Sequence, residues 1–420
     1  MKLTELYIHN YKSFYDTTIE LDKMNIVVGE NNSGKSNLID VLEFIDIAMS
    51  KDIERAISDK GGYDRIKNYS AVGEEKVIVR ATFEIENQEA RVNNMDIKKM
   101  NGLITLSFSF SKNYCIHSIL MNIRLNTDIY KDPLNYNSSF ELINREEYHL
   151  EFIVSNKIFL DTRKTHNKLF VFLGTNLMVV NKYIGILFKY LLNMPINDYN
   201  KSYKFETSGS FSFQTYYFNT QTIRDKSNQD SKYSELLKDG SNLGKVLYEI
   251  KERDENSFEI ISNSLITTVN EIDGIEVEKI FGSYVIGFKE RGEEPIPIHT
   301  VSDGTINFLA TITALNQNTN SSLLVFEEPE RHLHIKIMDY LLEGFRADNR
   351  QILLTTHSTE LLNYAKLEEI VFIYRDSDGD TQSIRAIDIP NLKDKMEALA
   401  YERPISLDEM IICGMVGDFE

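Results

Sequence analysis

The alternation of apolar and polar positions separates the chain into two regularly patterned ends and a less regular middle. At the amino end, short apolar or alternating runs predict strands at 3–9, 17–21, 24–28 and 77–86. Apolar residues at helical spacing predict a helix over 35–49. In the last third, strands are predicted at 322–326, 351–355 and 369–374, with helices at 334–346 and 358–366. Such alternation of strand and helix predicts a parallel sheet with crossover helices.

The middle region, roughly 90–300, is patterned less evenly. Apolar residues from Ile104 to Phe110 alternate with polar ones and predict a half-buried strand, and a similar alternation predicts another strand around 150–154. Further patterns predict a strand at 275–288, helices at 177–193, 241–252 and 256–270, and loops at 132–140 and 198–210. The acidic stretch Asp376–Asp380 is predicted to be a hairpin turn before a strand at 381–387.

These patterns predict an α/β fold with a mixed or parallel core sheet and flanking helices. Its amino-terminal part is residues 1–90, with an antiparallel β subdomain, and its carboxy-terminal part is residues 236–375. Residues 91–235 are predicted to form an inserted α/β middle lobe, and residues 376–420 a hairpin and tail.

Composition narrows the class of protein. Of 420 residues, 42% are apolar and 26% charged, as is usual for a globular protein in water. The net charge of −18 argues against indiscriminate coating of DNA, although it allows one local basic groove. Two cysteines cannot build a disulfide framework, and no signal segment or bilayer-length apolar run is present. A cytoplasmic protein without membrane contact is expected.

The loop from Gly29 to Ser36 carries the strongest chemical signal. It reads Gly, four residues, Gly-Lys-Ser, between a predicted strand and a predicted helix, which is the pattern of a phosphate-binding loop. Glycines let several backbone N–H groups point at one phosphate, and the helix start adds positive potential. Lys35 is predicted to reach the β- and γ-phosphates, and the Ser36 hydroxyl to hold Mg²⁺. The predicted nucleotide-binding residues here are Gly29, Asn31, Asn32, Ser33, Gly34, Lys35, Ser36 and Asn37.

Two later strands end in polar groups that suit the same site. The apolar run at 323–326 leads into Glu327 and Glu328, so these carboxylates are predicted at the edge of a sheet where ligands bind. Glu327 is expected to hold Mg²⁺ through water, and Glu328 to orient or deprotonate the attacking water. After the next strand, His357 is expected to sense the γ-phosphate.

A third candidate element is the start of a helix at Ser302, Asp303 and Gly304. A serine and a glycine at a helix start can form an anion site, and the alternative is an ordinary helix cap formed by Ser302 or Asp303. Spacing alone does not decide between these two interpretations.

Together these motifs resemble the ABC-type P-loop ATPase heads of the RecF, SMC and OLD class. The chain is most similar to the short bacterial "AAA family ATPase" proteins of phage-defence and abortive-infection systems. The resemblance rests on the opening Leu3–Phe14, the phosphate loop with Asn37, and the stretches Lys238–Leu243 and Glu328–His334. It covers about 1–90 and 235–375.

The resemblance implies a homodimer, or a higher oligomer, that encloses two ATP molecules. Ser302, Asp303 and Gly304 then form the signature loop, which contacts the γ-phosphate held by the opposite subunit. Glu328 becomes the catalytic base, His357 the switch histidine, and Arg331 and His332 lie near the subunit boundary. Glu327 stands where the family usually has Asp, which predicts slow hydrolysis or an altered metal preference.

Three functions remain open at this point. The first is an ATP-driven switch that controls a separately encoded effector, such as a nuclease or toxin, in anti-phage defence. The second is a RecF-like clamp on DNA ends, for which the candidate basic residues are Lys98, Lys99, Lys112 and Lys201–Lys204. The third is a scaffold or sensor that binds ATP with little hydrolysis.

Overall fold

A computed structural model gives the fold of this chain. It describes residues 2–51, 53–71, 75–92, 95–112, 115–127, 134–142, 147–154, 157–165, 206–207, 212–290, 292, 294–358, 360–390 and 392. The described residues fall into two compact units. The first is drawn from 1–22, 36–213 and 374–383, and the second from 23–35, 214–373 and 384–420.

The first unit is built on a long antiparallel sheet. Its strands are β1 (Lys2–Tyr11), β2 (Phe14–Glu20), β4 (Val77–Val92), β5 (Met95–Phe110), β6 (Cys115–Thr127), β7 (Leu134–Leu142), β8 (Glu147–Val154) and β9 (Lys157–Thr165), in the order β2-β1-β4-β5-β6-β7-β8-β9, with β10 (Glu206–Thr207) on β4. Alternate residues of β2 are buried and exposed, as expected of a strand with one face on a core. The helices of this unit are α1 (Lys35–Ser50), α2 (Ile53–Asp59) and α3 (Tyr63–Ile66).

The second unit contains the largely parallel sheet predicted from the strand–helix alternation. Its strand order is β11 (Phe213–Tyr216), β15 (Leu323–Glu327), β16 (Gln351–Thr356), β3 (Met24–Val28) and β17 (Ile370–Arg375). A further strand, β18 (Thr381–Arg385), follows along the chain. The four neighbouring strands β15, β16, β3 and β17 run parallel to one another. Every residue of β3 and β16 is buried, so their continuous apolar runs suit strands covered on both faces.

Helices pack on this sheet through one apolar core. They are α4 (Thr220–Lys226), α5 (Leu243–Arg253), α6 (Glu255–Thr268), α7 (Asp303–Asn316) and α8 (Ile335–Ala347). Residues from all five helices share a single buried cluster with Ile26, Phe326 and Leu354 of the strands. The predicted helices at 241–252, 256–270 and 334–346 are therefore confirmed, within a few residues at their ends. Within the described part of the chain, no helix has the length and apolar content that crossing a bilayer requires.

Three local predictions are wrong. The stretch 275–288 is two antiparallel strands, β12 (Ile272–Ile280) and β13 (Ser283–Glu290), joined at Phe281 and Gly282, and β14 (Ile296–Pro297) extends their sheet. Both turn residues have positive φ, and Phe in the first turn position gave no turn signal. Residues 358–366 contain a short 3₁₀ helix, Glu360–Tyr364, instead of an α-helix.

The third wrong prediction is the loop at 132–140, most of which lies in β7. This strand pairs with β6 and β8 along its length, and that pairing outweighs the low strand propensity of its Asn and Ser residues. The turn at Asp376–Asp380 is confirmed, with the Asp376 N–H donating to the Asp380 carbonyl over 2.9 Å. The predicted helix at 177–193, most of the predicted loop at 198–210 and the tail after residue 392 lie outside the described residues.

Candidate nucleotide site

Three neighbouring parallel strands end at one edge of the sheet in the second unit. The strand order β15-β16-β3 aligns Glu327 with Thr355 and Thr356 with Val28. Because parallel strands present their carboxyl ends at the same edge, the segments that follow them meet there. The acidic pair follows β15, His357 follows β16 and the phosphate loop follows β3.

The backbone of the phosphate loop is shaped by residues in unusual conformations. Asn32 and Gly34 have φ of 67° and 120°, in the left-handed region that allows successive N–H groups to face one anion. Gly29 is required by close packing, since a Cβ built there would lie 2.2 Å from the Ile373 carbonyl oxygen. Ser33 is buried, whereas Asn31 and Asn32 are exposed. The predicted loop residues thus form one continuous turn into α1.

Lys35 lies folded back on this loop. Its Nζ donates to the carbonyls of Gly29 and Glu30 over 2.6 and 2.8 Å, and the residue is only 6% exposed. Burial lowers the pKa of Lys35 to about 8, although the charges of Glu328 and Glu30 oppose that shift. The Lys35 ammonium group therefore loses its proton at a lower pH than an ordinary lysine does.

This lowered pKa predicts a proton uptake when nucleotide binds. At pH 8 about half of the Lys35 side chains are neutral, and phosphate oxygens favour the charged form, so binding should take up about half a proton. The affinity for nucleotide should accordingly fall as the pH rises above about 8. Calorimetry at pH 8 in buffers of different ionisation enthalpy measures the uptake. Lys35→Arg is the control because guanidinium stays charged, and an equal uptake by that variant would contradict the assignment.

Glu328 occupies a constrained backbone position after β15. Its φ is 49°, uncommon for a residue with a side chain, and its N–H donates to the Thr355 carbonyl over 2.9 Å. One carboxylate oxygen lies 3.3 Å from His357 Nε2 and the other 3.4 Å from Arg331 Nε. Both neighbours can donate hydrogen bonds to the carboxylate, so the predicted base is held from two sides.

The surroundings of His357 favour its neutral form. Burial lowers its pKa, and the nearby positive charges of Lys35 and Arg331 act in the same direction, while Glu328 opposes them. A neutral imidazole carries one N–H, which can be directed to Glu328 or to a phosphate oxygen. The structure thus brings Lys35, Glu328 and His357, the predicted catalytic residues, to the same edge of the sheet.

Arg331 is positioned by a tyrosine that the sequence analysis did not identify. Its Nη1 donates to the Tyr217 hydroxyl over 3.1 Å, and its guanidinium lies 5.9 Å from the centre of the Tyr217 ring. The side chain of Arg331 is 47% exposed, so it stays accessible from solvent while it contacts Glu328. No local pattern marks Tyr217, which follows a short strand far away in the sequence.

The predicted signature turn is an ordered helix cap. Ser302 precedes α7, and its Oγ accepts the Thr305 N–H over 3.2 Å. Arg224 forms an ion pair with Asp303 and donates to the Val301 carbonyl over 2.6 Å. The hydrogen bond from Arg224 lowers the pKa of Asp303. The capping interpretation is therefore observed, and the anion-binding role remains a prediction.

The start of α7 packs directly on the loop that follows β15. A Cβ on Gly304 would lie 2.4 Å from the His332 carbonyl oxygen, so only glycine fits. Asn307 Nδ2 donates to the carbonyls of Pro329 and Arg331 over 3.1 and 2.8 Å. Two predicted elements of the site, the signature turn and the segment after Glu328, are therefore joined within one chain.

Gly304→Ala is expected to lower the free energy of unfolding by about 1–3 kcal/mol, because the added methyl has no space beside the backbone of His332. Gly344→Ala in α8 is the matched control. Its Cβ would lie 3.7 Å from Leu315 Cδ1, an ordinary contact, so the helix should gain about 0.5–1 kcal/mol. Urea unfolding of both variants tests this contrast, and equal changes would contradict it.

The predicted Mg²⁺ ligands are oxygen donors of the type that this ion prefers. Ser36 is exposed in the first turn of α1, and Glu327 is a partly buried residue at the end of β15. A hydroxyl and a carboxylate suit an ion that keeps several waters and takes its remaining ligands from phosphates. Asn37, by contrast, donates through Nδ2 to Ser13 Oγ over 2.8 Å, so its side chain is used within the first unit.

Comparison with known proteins identifies the family of this chain. Residues 24–97 and 183–363, more than half of the chain, match the family described as "AAA domain, putative AbiEii toxin, Type IV TA system". A DNA replication and repair protein RecF of Bacillus cytotoxicus is 26% identical over 111 residues. That match covers 25% of this chain and 29% of the RecF chain. An ATP/GTP phosphatase of Helicobacter pylori is 23% identical over 367 residues, which cover 84% of this chain and 85% of that one.

Solved structures that align with this chain include two heads of SMC proteins. The SMC head domain of Thermotoga maritima aligns with 13% identity and a TM-score of 0.39, covering 92% of this chain and 99% of that chain. An SMC head bound to the C-winged helix domain of ScpA aligns with 13% identity and a TM-score of 0.46, covering 91% and 98%. The chain belongs to the AAA-domain family named above, whose model matches more than half of its residues.

Proposed function

We propose that this chain binds and hydrolyses ATP with Mg²⁺, and that two copies enclose the nucleotide between them. The observation that supports this most strongly is the group formed by Lys35, Glu328 and His357 beside the phosphate loop. The charges of Lys35 and Glu328 act on each other, and Glu328 contacts His357 at 3.3 Å. Phosphoryl transfer needs this combination of phosphate neutralisation and a positioned water.

Each residue then has a distinct role. Lys35 exchanges its hydrogen bonds to the loop carbonyls for phosphate oxygens and neutralises their charge. Glu328 accepts a hydrogen bond from the attacking water, and His357 holds that carboxylate and contacts the γ-phosphate. Ser36 and Glu327 would hold Mg²⁺, which would neutralise negative charge on the phosphates when bound.

The second copy is proposed to supply its Ser302 turn. The first turn of α7 has backbone N–H groups without partners inside the helix, which makes it suited to a γ-phosphate. Arg224 holds this turn through the Val301 carbonyl, and Asn307 joins α7 to the carbonyls of Pro329 and Arg331 in the same chain. A phosphate bound at the turn would therefore act on the segment that carries the base, which links dimer closure to catalysis.

The closed dimer is proposed to control a separately encoded effector, such as a nuclease or toxin, in anti-phage defence. The family description names a type IV toxin–antitoxin system, which supports a two-component arrangement. The test is to express the Glu328→Gln chain with the products of neighbouring genes and to identify proteins that co-purify in ATP. Phage challenge of cells with and without Lys35→Ala tests the role in defence.

A RecF-like DNA clamp is the second candidate, because the chain is similar to RecF over 111 residues. Of the lysines considered for DNA contact, Lys112 forms an ion pair with Asp64 at 3.6 Å. The others lie outside the residues whose side chains the structure describes. Salt-dependent binding of duplex DNA by the ATP-bound form would support this candidate.

The first experiment is a measurement of phosphate release by the purified chain. ATP and GTP are compared because the Helicobacter pylori relative is an ATP/GTP phosphatase. Release is expected with ATP and Mg²⁺ and is expected to stop when the metal is chelated. Tight ATP binding without release would favour a scaffold or sensor.

A further inference from the structure

Glu330 is a buried carboxylate that the chemistry above does not use. It is 6% exposed and lies two residues after the predicted base. Its Oε1 accepts the hydroxyl proton of Thr356, whereas its Oε2 is buried and has no hydrogen-bond partner among the residues that the structure describes. Burying a carboxylate in this way costs stability, and burial raises its pKa. A group that is costly to bury calls for an explanation beyond packing.

The Thr356 hydroxyl links this carboxylate to the segment around His357. Its Oγ1 accepts the Ser358 N–H over 2.9 Å and donates to Glu330. Thr356 and Ser358 are the immediate neighbours of His357 on either side. The two hydrogen bonds therefore fix the backbone before and after the histidine to the segment that carries Glu328.

We propose that Glu330 is a positioning residue that, through Thr356, holds the His357 imidazole against the Glu328 carboxylate. This inference rests on the proposed ATPase activity. Glu328, Glu330 and His357 then form one assembly in which the distance from His357 Nε2 to Glu328, 3.3 Å, depends on the Thr356 hydroxyl. Loss of that hydroxyl should impair the catalytic step and leave nucleotide binding intact, because Lys35 and the phosphate loop do not depend on it.

The test uses three substitutions of threonine. Thr356→Val keeps the branched shape but removes both hydrogen bonds, and it should lower kcat about 10- to 100-fold with the Kd for ATP changed less than threefold. Thr356→Ser keeps the hydroxyl and should retain kcat within about threefold. Thr313→Val is the matched control, since Thr313 is also fully buried but donates only to the Leu309 carbonyl of its own helix.

The carboxylate side of the same link is tested separately. Glu330→Leu removes the acceptor of the Thr356 hydrogen bond and should lower kcat as Thr356→Val does. Glu330→Gln keeps an oxygen acceptor and should retain most of the activity of the wild type. If Glu330→Leu does not fold, the threonine series and the glutamine variant decide the question. A wild-type kcat in Thr356→Val, or an equal loss in Thr313→Val, would overturn the inference.

A double-mutant cycle separates positioning from general stabilisation. If Thr356 acts through His357, then Thr356→Val should change kcat less than about twofold in a His357→Ala background. Independent, multiplicative losses would show that Thr356 acts elsewhere and would overturn the inference. If the unmodified chain hydrolyses ATP and Thr356→Val is fully active, this inference is refuted and the proposed function is not. Absence of any turnover that depends on Lys35 would refute the proposed function, and this inference with it.

Discussion

Lys35→Ala is expected to lower kcat/KM for ATP about 10²- to 10³-fold. The substitution removes the positive charge that the loop holds over the carbonyls of Gly29 and Glu30. ATP binding should weaken as well, because the β- and γ-phosphates lose their main cationic partner. Phosphate release at saturating and subsaturating ATP measures both effects.

Folding is not expected to explain this loss of activity. A neutral side chain relieves the cost of burying an ammonium whose pKa has fallen to about 8, so Lys35→Ala should unfold at the same or a higher urea concentration. The matched control is Lys23→Ala. It removes an exposed lysine that directly precedes the first residue of β3, at the end of the strand away from the phosphate loop. Turnover of Lys35→Ala within threefold of the wild type would show that the loop does not serve hydrolysis.

Glu328→Gln is expected to reduce kcat about 10²- to 10³-fold while ATP still binds. The amide keeps the size of the side chain and can still accept from His357 or Arg331, but it cannot take a proton from water. The variant should therefore stay in the ATP-bound state. Single-turnover phosphate release, compared with ATP affinity, separates the chemical step from binding.

A surface carboxylate provides the control for this substitution. Glu343→Gln changes a side chain that is 65% exposed and pairs with Arg346, so kcat should not change. Full activity of Glu328→Gln would remove Glu328 from the role of base. In that case Glu327, the neighbouring carboxylate, would be the next candidate to substitute.

Continuous apolar runs and their polar ends were sufficient to predict the central part of the fold. Met24–Val28, Leu323–Phe326 and Ile352–Leu354 read as buried strands, and they are neighbouring parallel strands of one sheet. The candidate site residues follow directly after these strands. Their position at one edge of the sheet could therefore be predicted once the strands were identified as buried and parallel. The phosphate loop needed no tertiary information, since its residues are consecutive.

Contacts between distant segments could not be predicted in this way. Arg224 pairs with Asp303 across 79 residues, and Arg331 donates to Tyr217 across 114. Periodicity and turn residues report local structure, and they carry no information about which distant side chains meet. The same limit applies to Glu330, because its partner Thr356 lies in β16, 26 residues further along the chain.

Two copies of this chain are proposed to enclose ATP between the Lys35 loop of one and the Ser302 turn of the other. The most direct measurement is the mass of Glu328→Gln in solution by light scattering, with and without ATP and Mg²⁺. A monomer that becomes a dimer only with ATP, and that stays monomeric when Ser302→Arg is added, is the predicted result. A mass that does not change with ATP, or a dimer that forms equally well with Ser302→Arg, would contradict the enclosure of ATP between two copies.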